Sequence, residues 1–209
     1  IGMEPDEVDG YKSRSGVTVV SPLVWSLPSQ PDQPLGVLRK GAKTPCNIFG
    51  ILGIDPSSEA NVTHVDQAVI NGNLRDLKAP DGAMISQGAA DQLGVGVGDT
   101  VSFDLLGTGF YRNLKVVGVI NSASLSGLID LYGESLLPFR KVTRDGRIVY
   151  ERAEASKVLV LNWETPLEEG QPLKDVMAIS RIVVQLSSQE DPNEFARNIV
   201  YGKEYTVWV

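Results

Sequence analysis

Two chemically versatile side chains are almost missing from this chain. Cys46 is the only thiol and His64 the only imidazole among 209 residues. A lone cysteine excludes an intrachain disulfide. One thiol and one imidazole cannot build a structural zinc site unless acids complete it. A Cys–His nucleophile pair would need Cys46 and His64 in contact, and the stretch between them holds no supporting motif. A Ser–His–Asp triad would have to use His64, and no Gly-x-Ser-x-Gly elbow occurs. Positive charge is also scarce: Lys and Arg total 19 against 26 Asp and Glu, a net charge of -7. Without clustered basic residues the chain is not built to hold nucleic acid or an anionic bilayer. It lacks any apolar run of about 18 residues, so no segment of the sequence spans a membrane as a helix.

What is present is enough for a packed core. Apolar residues make up 42% and charged residues 22%, the balance of an ordered protein of one or two domains. Residues 4–16 read as a short helix or turn. Val17–Trp25 is a β-branched strand that Pro22 pushes toward an edge or a bulge, and 26–36 is a proline-rich loop. Asn47–Asp55 is a short apolar strand broken by two glycines, and Val65–Arg75 fits either a helical turn or a strand. Ala83-Met-Ile-Ser starts a buried strand. Ser86 then N-caps a helix over Gln87–Leu93, with Gly94 as its C′ residue. Val101–Leu106 and Leu114–Ile120 form a hairpin around Gly107-Thr-Gly109. A loop and helix over 121–137 precede a second hairpin at Asp145-Gly146. Lys157–Trp163 and Ile179–Leu186 are strands. Asp191-Pro192 opens a helix, and Tyr205–Val209 is a last strand. Head and tail thus read as one small α/β unit split by a long β-rich insert.

The segment Leu93-Gly-Val-Gly-Val-Gly-Asp-Thr-Val invites a phosphate-loop reading through Gly94, Gly96 and Gly98. A dinucleotide loop follows a strand and opens a helix. Here a helix precedes and a strand follows, so these glycines and Asp99 read as a structural turn, with Asp99 bonding turn amides. No cofactor, metal or catalytic residue is assigned. Asn61-Val62-Thr63 is an N-glycosylation sequon in a polar loop, relevant only outside the cell. Trp25, Trp163 and Trp208 read as packing residues. The start, Ile1-Gly-Met-Glu-Pro, is neither an initiator methionine nor a signal peptide. The end stops inside a strand pattern, so the reading is a piece of a longer polypeptide.

In order along the chain, Ser15-Gly-Val-Thr-Val-Val-Ser-Pro, Gly50-Ile-Leu-Gly-Ile-Asp-Pro, Met84-Ile-Ser, Leu93-Gly…Gly98-Asp-Thr-Val, Val116-Val-Gly-Val-Ile and Ile179–Leu186 with 191–200 resemble the extracytoplasmic core domain of MacB/FtsX-type ABC transporter permeases. Residues 26–36 and 121–176 have no counterpart in that pattern. The resemblance implies an α+β fold: a split β-α-β, porter-like subdomain near the membrane (1–39 and 177–209) carrying a β-rich distal lobe (40–176). It implies a non-enzymatic domain on the extracytoplasmic face that couples membrane-helix motion to a substrate or partner outside. Its partners would be the flanking transmembrane helices, the transporter's ATP-binding subunit and a second permease copy, with no nucleic acid. The rival expectation is an adaptor or substrate-recognition barrel of the double-psi type, where Leu-Gly-x-x-x-Gly-Asp-x-Val also occurs; only one of the two halves it needs is found. An enzyme using Cys46 and His64 is the third.

Overall fold

The computed structural model describes residues 3–131, 133–168 and 172–200. Helix α1 (Pro5–Lys12) starts with proline in its first turn and places Asp6 and Glu7 at the positive end of its dipole. Strand β1 (Val17–Ser26) follows, and the proline-rich loop leads to β2 (Gly36–Arg39), β3 (Cys46–Ile48) and β4 (Gly50–Ile54). Next come the short helix α2 (Glu59–Thr63) and β5 (Val69–Gly72), which lies between two 3₁₀ turns. The ambiguous stretch 65–75 is therefore neither one helix nor one strand. Strand β6 (Gly82–Ser86), helix α3 (Gln87–Leu93) and the hairpin β7 (Thr100–Leu105) and β8 (Phe110–Ile120) follow the expected order. After α4 (Ser122–Gly127) come the hairpin β9 (Phe139–Arg144) and β10 (Arg147–Arg152), then β11 (Val158–Asn162), β12 (Met177–Leu186) and α5 (Pro192–Val200). The expected strand at Tyr205–Val209, with Trp208, lies outside the described residues.

The fold is α+β, dominated by one sheet with strand order β12-β1-β4-β11-β6-β8-β7-β2-β3 and with β5 on β8. Phe49 alone separates β3 from β4. The run from β4 round to β3 therefore begins and ends on one chain segment, and the sheet must curl until it meets itself. Alternation along the strands fills both faces. Ile51, Ile85, Val116 and Leu159 point into the curl with Phe103 and Leu38. Their neighbours Leu52, Met84, Val117 and Val160 point outward, beneath the turns of 65–78 and α4.

β1 and β12 are attached to this curl as an antiparallel pair that runs from Val17↔Leu186 to Ser26↔Met177. The attachment is narrow: β1 meets β4 only through Leu23, Val24 and Trp25. Pro22 lies just outside that doubly paired stretch, next to a register shift at Leu23/Val24. So β1 is interior over Leu23–Trp25 but paired on one side only at Pro22, where just β12 reaches it and the bulge begins one residue on. The Ser26 hydroxyl accepts the Ile51 amide at 2.9 Å and ties the far end of β1 to β4. α1 doubles back along the pair: Met3 just before it bridges Ile179, Val8 is fully buried, and the Lys12 ammonium lies 5.6 Å from the Trp163 ring centre.

Local chemistry sets the turns. The Ser86 hydroxyl accepts the Ala89 amide at 3.1 Å and starts α3. At the other end of that helix Gly94, at φ 64, and Val95 donate back to Asp91 and Ala90, a Schellman closure. Asp145 (φ 49) and Gly146 (φ 72) both take the left-handed conformation that a two-residue type I′ hairpin requires. Gly72 differs in kind. Its φ is +85, and a Cβ there would run into the backbone of Val117 and Gly118 on β8. Gly94 has only the end of the flexible Lys43 side chain nearby. Gly94→Ala should therefore cost about 1 kcal/mol, the left-handed penalty alone, and Gly72→Ala clearly more, as read from urea unfolding midpoints. Equal losses at both positions would contradict this packing.

Candidate functional site

The residues flagged in sequence are scattered. Cys46 is fully buried on β3, where burial pushes its thiol pKa up, the opposite of activation. His64 is exposed at the end of α2 with φ 58. No hydrogen bond joins the two among the described residues. Asn61 is exposed on α2, not in the expected polar loop, because Ser58–Thr63 closes into a helical turn. The sequon's Thr63 hydroxyl is buried and donates to the Glu59 carboxylate at 3.0 Å. Gly96 donates its amide to Asp99 at 2.9 Å, and Lys40 lies 3.4 Å from the same carboxylate. The Gly96 amide first, then Lys40, holds the Asp99 carboxyl below its ordinary value. Gly98 and Asp99 also exchange backbone bonds with Val116, each 2.8 Å, so these groups are spent within the fold. Among the described residues no three His, Cys, Asp or Glu side chains gather as a metal ion needs, and no helix is long and apolar enough to cross a membrane.

A different set of residues does come together, along the seam between the β1–β12 pair and the elements inserted between them. Its centre is Arg181 on β12. This guanidinium bonds the carboxylate of Asp130, from the loop after α4, and lies 5.8 Å from the Trp25 ring centre. Trp25 on β1 donates its indole N–H to the Leu136 carbonyl at 2.7 Å and meets Phe139 edge to face at 5.8 Å. Arg152 on β10 stacks 3.9 Å from Phe139 and 4.7 Å from Trp25. It also bonds the Leu137 carbonyl at 2.7 Å and pairs with Glu134 at 3.1 Å. Arginine suits this role because its flat, delocalised cation stacks and donates at once.

Beside this knot sits a buried acid. Glu59 is 2% exposed. It accepts from the Ser21 hydroxyl at 2.6 Å and from Thr63, while Ser58 donates to Ser21 at 2.9 Å. Burial raises the Glu59 pKa, and the Ser21 and Thr63 bonds and the charge of Arg181 oppose that rise only in part. Burial also lowers the pKa of Arg181, which remains a cation at any physiological pH. One of its nitrogens, Nη2, is buried with no hydrogen-bond partner among the described residues. No pattern in the sequence marks the seam: Ser21 and Glu59 are 38 residues apart, and Asp130 and Arg181 are 51 apart.

The described residues thus form a curled sheet with an appended strand pair, joined along a charged and aromatic seam. The chain belongs to the MacB-like periplasmic core domain family, whose profile matches residues 2–200. This family forms the periplasmic domain of ABC transporter permeases and is generally non-enzymatic. Among solved structures, a domain assigned to a permease protein from Porphyromonas gingivalis aligns with a TM-score of 0.47 and 12% identity. The alignment covers 91% of this chain and 65% of that one. No curated protein matches it by sequence.

The seam makes two measurable demands. Asp130→Ala leaves a mostly buried guanidinium without its counter-charge and should cost about 3 kcal/mol or more in unfolding free energy. Asp130→Leu with Arg181→Met, which removes both charges, should recover most of that loss. Additive losses in the double variant would show that the pair does not act as a unit. For Glu59 the sign follows from its raised pKa. The folded state holds the proton more tightly than the unfolded chain. Its contribution to stability is therefore full below the unfolded value of about 4.3 and is lost as pH rises through the folded value. Glu59→Gln should thus melt higher than the parent at about pH 8 and lose that advantage near pH 4. A variant that melts lower at pH 8 would mean that Arg181 favours the ionised form.

Proposed function

We propose that the chain is the extracytoplasmic domain of an ABC transporter permease and that it couples movement of the membrane helices to a substrate or partner outside the membrane. Its working partners are then the flanking transmembrane helices of the same polypeptide, the transporter's ATP-binding subunit and a second permease copy. The observation that carries this reading is the family match over nearly the whole chain. The geometry supports it. Because β1 and β12 are antiparallel, the turn after α1 and the start of α5 meet at one end of the pair, with Arg14 5.7 Å from the Phe195 ring centre. Motion of two membrane helices would enter there together.

In this reading residues 1–39 and 177–209 form the membrane-proximal part and 40–176 the distal lobe, with one qualification from the sheet: β2, in the first segment, pairs with β7 and β3. The seam of Arg181, Asp130, Trp25 and Arg152 is the coupling between the parts. Gly94, Gly96, Gly98 and Asp99 shape a turn and take no ligand. Two-state motion between the parts is the mechanism, and ATP hydrolysis belongs to another domain or chain.

The test places spin labels at Gln185 on β12 and Gly146 at the hairpin tip in the complete permease. The distance between them should shift when ATP is added to the assembled transporter. An unchanged distance through the ATP cycle, or magnesium-dependent ATP turnover by this chain alone, would refute the proposal.

A further inference from the structure

The β9–β10 hairpin pairs with no other strand among the described residues. Its two-residue turn makes Arg144 and Arg147 the first hydrogen-bonded pair. Alternation then makes Val142/Val149 and Arg140/Glu151 the next ones. The backbone groups of Lys141 and Thr143 therefore face out on one side of the hairpin, and those of Ile148 and Tyr150 face out on the other. The β9 side is sealed. Asp32, held at φ 61 in the proline-rich loop, donates its amide to the Lys141 carbonyl at 3.1 Å, and its carboxylate accepts the Thr143 amide at 3.1 Å. The β10 side is open. No backbone or side-chain partner reaches the N–H or C=O of Ile148 or Tyr150 among the described residues. The two residues are 59% and 62% exposed. An unprotected strand edge with apolar side chains is a template for another strand.

We propose that this edge pairs antiparallel with the same edge of a second copy of the chain, with Val149 on the two-fold axis. In that register Ile148 lies opposite the partner's Tyr150, and Arg147 lies opposite the partner's Glu151. Each match occurs twice, as a two-fold interface requires. Arg147 has no acidic partner among the described residues. Glu151 is held in place by Arg140 and Arg144, each at 2.6 Å. The outward N–H and C=O groups of Ile148 and Tyr150 then meet their counterparts across the axis. Neighbouring registers lose these matches. With Tyr150 on the axis, Val149 faces the partner's Glu151. With Ile148 on the axis, Glu151 faces the partner's Asp145, two like charges. Odd shifts set outward groups against inward ones. The edge geometry carries this interface whether or not the domain moves within a transporter.

Register-specific cross-linking tests it. Val149 and its symmetry mate form a non-hydrogen-bonded pair, with Cα atoms about 4.5 Å apart, within disulfide reach. Under mild oxidation the chain carrying Val149→Cys should form a covalent dimer about tenfold faster than one carrying Tyr150→Cys. Adding Arg147→Glu should slow that dimer formation severalfold at low salt. If Val149→Cys disturbs folding, Ile148→Cys with Tyr150→Cys in one chain supplies opposed cysteines in the same register. Absence of cross-linking from both designs overturns the proposal, as does an equal rate for Tyr150→Cys alone. Hydrogen-exchange protection of the Ile148 and Tyr150 amides by a peptide of alternating Glu and Val, without cross-linking between copies, overturns it in favour of a foreign strand.

Discussion

One residue between two strands governs this architecture. Phe49 lets β3 pair with β2 while β4, a single step further on, pairs with β1 and β11. A flat sheet cannot satisfy both sets of hydrogen bonds, because five other strands stand between β4 and β3 in the pairing order. The chain resolves this by curling, and the curl creates an inner face that only apolar side chains can fill. Phe49 is itself fixed at this junction. Its amide donates to the Lys157 carbonyl at 2.9 Å, and the Arg140 guanidinium lies 5.1 Å from its ring centre. The residue that forces closure therefore also touches the hairpin outside the curl.

The seam is the second consequence of that closure. Once the curl is formed, β1 can reach it only over Leu23–Trp25. Three residues of ladder are a weak hold for two ten-residue strands, so side chains supply the rest. Arg181 and Arg152 act through stacking and hydrogen bonds as well as charge, and their carboxylate partners are held by the loop between α4 and β9. Glu59 and Arg181 are both shifted by burial in the direction that disfavours their charge.

Much of the frame was legible in the sequence, because its signals are local. Ser86 and Gly94 bracket α3, Asp145-Gly146 closes a hairpin, and Asp191-Pro192 opens α5; each needs only neighbouring residues to act. Pro22 shows where local reasoning ends. Its missing N–H restricts pairing, but whether a neighbouring strand reaches it depends on where β4 stops. The placement of β2 beside β7 and β3, and the meeting of Trp25, Asp130, Arg152 and Arg181, depend on contacts far apart along the chain. No periodicity records them. The loop placement of Asn61 failed for a smaller reason: a polar run after Asp55-Pro-Ser-Ser reads as loop, yet Thr63 and Glu59 bond across one turn of a helix.

The antiparallel ladder of β1 and β12 closes at its base through the Ser187 amide and the Gly16 carbonyl, 2.7 Å apart. That geometry decides which forces the pair resists. A pull that drew the two chain segments apart at this end would open the rungs in sequence, like a zipper. A push or twist applied to both segments together strains no rung and carries the whole pair as a stiff lever. The pair is therefore compliant to separation and rigid to shared displacement, and the Trp25–Arg181 contact lies near its far end, where such a lever would bear.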